Sequence, residues 1–163
     1  MKKIIIAMLI ILLFASGCSK KDVELIAICN TENRRAEVYN NIDNKVTIEL
    51  YGKNDKLVKM VVTDTYTSPT YEEYKESIAI DYNRQVYNSK KNTNGMQYEY
   101  IDDYTNLIST YKVTYIISKM TYAEKDDMEY QSMLDEYGEM MPFKKIVELY
   151  ENDDLKCETK VMK

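Results

Sequence analysis

A change of period near residue 68 constrains the fold of this chain more than any other feature. In residues 45–67, Val46, Ile48 and Leu50 alternate with Thr47, Glu49 and Tyr51. After Gly52-Lys53-Asn54-Asp55-Lys56, Val58, Met60 and Val62 alternate with Lys59, Val61 and Thr63. Strand side chains point to opposite faces in turn, so period two on both sides of turn residues predicts a β-hairpin. Its Val, Ile and Thr content suits a pleated, half-buried surface. Beyond it, Tyr71, Tyr74, Ile78, Tyr82 and Val86 recur every three or four residues, one apolar stripe on an amphipathic helix. Ser68 before Pro69, or Thr70 with Glu73 one turn later, supplies the cap.

The same reading extends outward. Residues 23–29 form a first strand, and residues 35–39 continue it or pair with it after a turn at Thr31-Glu32-Asn33. Residues 96–101 and 111–120 form a second strand pair around residues 102–106. Thr121 with Glu124 caps a helix carrying Tyr130, Met133, Leu134 and Tyr137 on one face, with Gly138 placed to end it. Pro142 opens a further helix with Phe143, Ile146, Val147 and Tyr150 on one face. Residues 152–154 turn the chain into a last strand, residues 155–161. Hairpins with helices between them, rather than strict βαβ alternation, predict an α+β fold. Its antiparallel sheet has two or three amphipathic helices packed on one face.

The N-terminus has a different character. Lys2 and Lys3 precede an unbroken apolar run over residues 4–15, followed by Ser16, Gly17 and Cys18. At ~1.5 Å per residue, the run spans roughly 18 Å of a ~30 Å bilayer core, short for a membrane span and right for a signal peptide. Ala15-Ser16-Gly17-Cys18 resembles the lipobox of bacterial lipoproteins. That resemblance implies a diacylglyceryl group on the Cys18 thiol and removal of residues 1–17. Residues 18–22 then form the lipidated cysteine and a short tether, and residues 23–163 a single domain. Acyl chains contribute roughly 0.8 kcal/mol per buried methylene, so two or three give lasting attachment. Four residues, 19–22, reach about 14 Å at most, which holds the domain close to the membrane. The implied address is extracytoplasmic.

Cys29 and Cys157 remain in the mature chain. In an oxidising compartment, two cysteines at opposite ends of a domain point to a disulfide; the alternative is two buried free thiols. Removing residues 1–17 from 163 leaves 146. It takes two of the 22 basic residues and none of the 27 acids, so the mature net charge is −7. That balance argues against a nucleic-acid partner and against broad adhesion to anionic lipid, with Lys20 and Lys21 as a local exception. With no histidine in the chain, His-based triads, His metal sites and imidazole relays are excluded. No cofactor is implied.

The hairpin Val46-Thr47-Ile48-Glu49-Leu50 … Leu57-Val58-Lys59-Met60-Val61-Val62 precedes a Tyr-rich helix. Gly95 stands before Met96-Gln97-Tyr98-Glu99-Tyr100, and Phe143-Lys144-Lys145-Ile146-Val147-Glu148-Leu149 forms the closing helix. Behind a lipobox, this order resembles YehR-like bacterial lipoproteins over about residues 27–158. It implies fold and address, and no activity. Members of that family often carry a glycine after the last helix, where this chain has Asn152-Asp153-Asp154.

Two kinds of candidate site are present. Tyr98 and Tyr100 on one strand, with Tyr111 and Tyr115 on its neighbour, form either an exposed aromatic platform for sugar or peptide, or rings beneath the helices with hydroxyls at the rim. The acidic doublets Asp102-Asp103, Asp126-Asp127 and Asp153-Asp154 are either carboxylate or calcium sites, or solvated turns. No residue is singled out as catalytic or as a metal ligand. The sequence reading is therefore a membrane-anchored, non-enzymatic envelope lipoprotein. Small-ligand, sugar or cation binding is the alternative, and a carboxylate-based hydrolase the remote one.

Overall fold

In a computed structural model of the chain, the described residues are 23–31, 34–35, 42–80 and 91–162. The signal segment, Cys18, the tether, residues 36–41, and Tyr82 and Val86 of the predicted helix lie outside them. No helix among the described residues is long and apolar enough to cross a membrane.

The elements are β1 (Glu24–Asn30), β2 (Arg34–Arg35), β3 (Asp43–Lys53), β4 (Lys56–Thr67), α1 (Tyr71–Ile80), β5 (Met96–Asp103), β6 (Ile108–Ile116), α2 (Met128–Gln131), α3 (Phe143–Asn152) and β7 (Lys156–Val161). They build one antiparallel sheet in the order β5-β6-β4-β3-β1-β7, with β2 added beside β3. The short β2 pairs with Asn44 and Asp43 of β3, not with β1 as the sequence led us to expect.

The hairpin turns more tightly than predicted. Its turn is Asn54-Asp55, with φ of 52° and 63°, the double positive φ of a two-residue hairpin loop that Asn and Asp tolerate. Gly52 belongs to β3, at a bulge where the register shifts between Tyr51 and Gly52. A Cβ on Gly52 would sit 2.5 Å from the Phe143 ring, so a bare backbone here lets Phe143 approach. The bulge also changes phase: Leu57 joins Met60 in the core, and Val58, predicted inward, is 41% exposed.

The register places two apolar rows across the sheet. One runs Tyr98–Val113–Val62–Ile48–Cys29 and the other Met96–Tyr115–Met60–Leu50–Ala27. Most of these side chains belong to one buried cluster with Met120, Tyr130, Met133, Phe143, Ile146, Val147, Tyr150 and Leu155. The stripe predicted for α3 is the set of residues that α3 buries.

Caps decide where helices begin and stop. Thr70 prevails over Ser68: its Oγ1 accepts from the Glu73 N–H at 3.3 Å and donates to the Glu73 carboxylate at 2.7 Å. Thr121 and Glu124 also form their box, with the Glu124 N–H 3.3 Å from Thr121 Oγ1. The long helix predicted behind it does not form. Asp127 is extended, at φ −64° and ψ 138°, and caps the four-residue α2 by accepting from the Glu129 N–H. Asp135 then accepts from the N–H groups of Tyr137 and Glu139, both at 2.9 Å, and organises a turn containing Gly138 at φ 76°. Aspartates that satisfy nearby backbone donors compete with helix propagation. Tyr130 and Met133 stay buried, whereas Tyr137 turns out to solvent.

At the end of α3, the Leu155 N–H reaches the Tyr150 carbonyl at 3.1 Å and the Asp154 N–H reaches Glu151 at 3.3 Å. This is a Schellman closure with Asp154 at the left-handed position, φ 64°. An aspartate serves where a glycine would fit without a Cβ penalty. Strand β7 then returns beside β1, with Cys157 opposite Cys29 and their sulfurs 2.02 Å apart. The Cα atoms are 4.0 Å apart, the close approach of a non-hydrogen-bonded antiparallel pair.

Two predictions follow from these closures. The disulfide bridges residues 128 apart, worth about 5 kcal/mol in the chain-entropy model. Cys29→Ser and Cys157→Ser should each lower the melting temperature by roughly 10 °C or more, and the double variant should lose no more than either alone. Asp154→Gly should raise stability by up to about 1 kcal/mol, seen as a shifted urea midpoint with unchanged slope.

Candidate functional site

Strand alternation places Tyr98, Tyr100, Tyr111 and Tyr115 on the core-facing side of β5 and β6. Tyr111 and Tyr115 are buried, and Tyr98 and Tyr100 are half-buried. The four rings therefore form no open platform. Tyr111 packs against Tyr100 with ring centres 4.7 Å apart and planes tilted by 41°, and meets Tyr66 edge-on at 5.7 Å, while the Tyr115 hydroxyl donates to Asp127 at 2.9 Å. The Tyr100 and Tyr115 hydroxyls donate to Asp102 and Asp127, and the Tyr98 hydroxyl lies 3.7 Å from Met96 Sδ.

Each acidic doublet has a local explanation. Asp102 accepts from the hydroxyls of Tyr74 (3.1 Å), Ser109 (3.0 Å) and Tyr100, tying α1 to the sheet. Asp103 accepts from the backbone N–H groups of Thr105 and Asn106 and from the Asn106 side chain, and these bonds hold its carboxyl below the usual range. Asp127 caps α2, and Asp153 and Asp154 close α3. Among the described residues, no group of three or more His, Cys, Asp or Glu is placed to hold a metal ion.

A feature outside the sequence-predicted sites is more unusual. An open groove of about 510 Å³ runs between β3, α2 and the end of α3, lined by Val46, Ile48, Glu129, Ser132, Tyr150 and Asp153 among others. Beside it, Asp64 of β4 stands opposite Val46 and Tyr111 in the core-facing register. Burial pushes the Asp64 carboxyl above its ordinary value, opposed by an Asn44 Nδ2 donor at 3.2 Å. Glu129, exposed along part of its side chain, is also raised. Desolvation is the main cause, followed by the charges of Asp127 and Asp64, and the Tyr150 hydroxyl opposes it. The Tyr150 hydroxyl is itself pushed far up, first by burial and then by Glu129, and lies 3.5 Å from Met60 Sδ. An acid in phase with Met60 and Val62 on a core-facing strand was the legible sign of this groove. Its partner Glu129 was hidden by the predicted helix.

Chemically, the groove offers an apolar floor, a buried phenol and the Glu129 carboxylate, which holds its proton more tightly than usual, with Asp64 beside it. It is suited to binding through apolar contact and hydrogen bonds. No protein-family model, curated protein or solved structure matches this chain.

A group whose folded pKa is raised keeps a proton that the unfolded chain releases. Its stabilising effect is present below the unfolded pKa and is lost as pH rises toward the folded one. For Asp64 and Glu129 that loss begins near the ordinary values of 3.8 and 4.5. The double variant Asp64→Asn, Glu129→Gln should thus gain in melting temperature over the parent as pH rises from 3.5 to 7. A constant or shrinking difference would contradict the assignment.

Proposed function

We propose that this chain is a lipid-anchored, extracytoplasmic bacterial lipoprotein whose domain binds a partner at the cell envelope rather than transforming a substrate. The observation that carries the reading is the Cys29–Cys157 pair at bonding distance, a linkage that persists in oxidising compartments. It joins the strand nearest Cys18 to the last strand, so the tethered end of the domain is also its covalently closed end. The Ala15-Ser16-Gly17-Cys18 motif supplies the anchor, and the order of elements fits the YehR-like class to which the sequence bears a resemblance.

In this reading α1 and α3 share the core-facing side of the sheet. The other side, with Glu99, Lys112, Thr63, Thr47 and Asn30 in one row, is left for contact. A second reading, small-ligand binding, is favoured by the groove between β3 and α3. A hydrolase would need a carboxylate aimed at a substrate atom. Asp102, Asp103, Asp127 and Glu129 instead have their oxygens engaged by neighbouring donors.

Metabolic labelling with a clickable palmitate analogue tests the anchor. The parent chain should take up label and Cys18→Ala should not, its precursor remaining uncleaved. Equal labelling of the two would remove the basis for the lipoprotein reading.

A further inference from the structure

One end of the domain carries four lysines, Lys53, Lys56, Lys144 and Lys145, against the acids Glu24, Asp55 and Glu148, a small positive excess in an acidic chain. The Val23 N–H donates to Asn54 Oδ1 at 3.1 Å, and the Asn54 N–H to the Val23 carbonyl at 3.0 Å. The chain therefore enters the domain beside the β3–β4 turn. The Phe143 N–H donates to the Asp55 carbonyl at 2.9 Å, and the Met162 N–H to the Glu24 carbonyl at 2.9 Å. The start of α3 and the end of β7 thus meet at the same place.

Lysines gather there. Lys53 and Lys56 flank the turn, and Lys144 and Lys145 occupy the first turn of α3. Glu24 lies 3.7 Å from Lys53 and Glu148 lies 2.9 Å from Lys145, while Lys56 and Lys144 are exposed with no ion pair among the described residues. The helix dipole favours acids in a first turn, yet α3 has none there. The Glu148 pair offsets this for Lys145, whereas Lys144 has no such offset, and a local rule broken in this way marks a place where something else is recognised. Apolar groups are exposed at the same end: Val161 is 67% and Val23 48% accessible. The opposite end carries Asp102-Asp103 and Asp153-Asp154, with Arg34 and Arg35 of β2 nearby.

We propose that this turn end is a membrane seat, its lysines on anionic phospholipid headgroups and its exposed valines at the headgroup boundary. The proposal rests on lipidation of Cys18. Residues 19–22 span about 14 Å at full stretch, so an anchored Cys18 holds this end, and no other, within reach of the headgroups. Lys20 and Lys21 lie in the same gap. The domain, residues 23–163, has a net charge of −8; it is repelled by an anionic surface in most orientations and attracted in this one, so the seat fixes its orientation. Each lysine at an anionic surface favours seating about fivefold, and salt screens the effect.

Hydrogen exchange on the full-length chain, purified with its lipid and reconstituted into vesicles, tests the seat. Vesicles of phosphatidylcholine alone are compared with vesicles that also contain phosphatidylglycerol, and intact mass verifies lipidation. Exchange in segments 53–58 and 142–146 should slow several-fold in the anionic vesicles. Segment 102–106 should be unchanged. High salt, or the variant Lys56→Glu with Lys144→Glu, should abolish the slowing; both sites are exposed, and unchanged exchange in 102–106 verifies that the variant is folded. A lipidated chain that exchanges equally in both vesicles overturns the seat while leaving the anchor standing. An unlipidated Cys18 overturns the anchor and the seat with it.

Discussion

Strand β1 lies between β3 and β7, and the covalent tie from Cys29 to Cys157 holds β7 there. Without that tie, β7 would be a six-residue edge strand, mostly exposed, held by one neighbour and the closing turn of α3. Edge strands of this kind fray first. With it, fraying at the C-terminus must also disturb β1, whose Ala27 and Cys29 are fully buried. The α3 helix benefits too, because Leu155 and Cys157 fasten its far end while Phe143 over Gly52 fastens its start. The exposed edge of β7 carries Lys156, Glu158 and Lys160, charges that discourage pairing with another chain.

The core-facing surface of the sheet is not uniformly apolar. Toward the ends of β4, β5 and β6 the rows change from Val and Met to Tyr, Asp and Ser. There Asp102 receives three hydroxyl donors and Asp64 receives Asn44. A half-buried acid that accepts several bonds, as Asp102 does, specifies a single arrangement more than it stabilises it. Asp64 and Glu129 are less fully compensated, and their raised pKa values reflect that. The tyrosine rows fill the core-facing side of β5 and β6, and the open groove lies apart from them, between β3, α2 and the end of α3.

The sequence was informative where one local signal had no competitor. Period two gave β3 and β4, the i, i+3, i+4, i+7 spacing gave α3, and the Thr70–Glu73 box marked the start of α1. It misled where two signals overlapped. Tyr130, Met133, Leu134 and Tyr137 have helical spacing, but Asp127 and Asp135 take the backbone donors that a continuous helix would use. Gly52 reads as a turn residue, yet its role is set by Phe143, ninety-one positions away in the chain. Contacts of that kind leave no local trace. The tyrosine quartet was placed correctly on its strands, but which side faced the core depended on the position of segment 117–155, which pattern alone does not reveal.

The anchor, the disulfide and the seat all assume one covalent state of the mature protein. Intact-mass analysis of protein extracted from bacterial membranes without reductant measures that state directly. The account predicts a chain beginning at Cys18, bearing a diacylglyceryl group, and two hydrogens lighter than the dithiol because Cys29 and Cys157 are joined. A mature chain that begins elsewhere, or that carries an unmodified Cys18 and two free thiols, would contradict it.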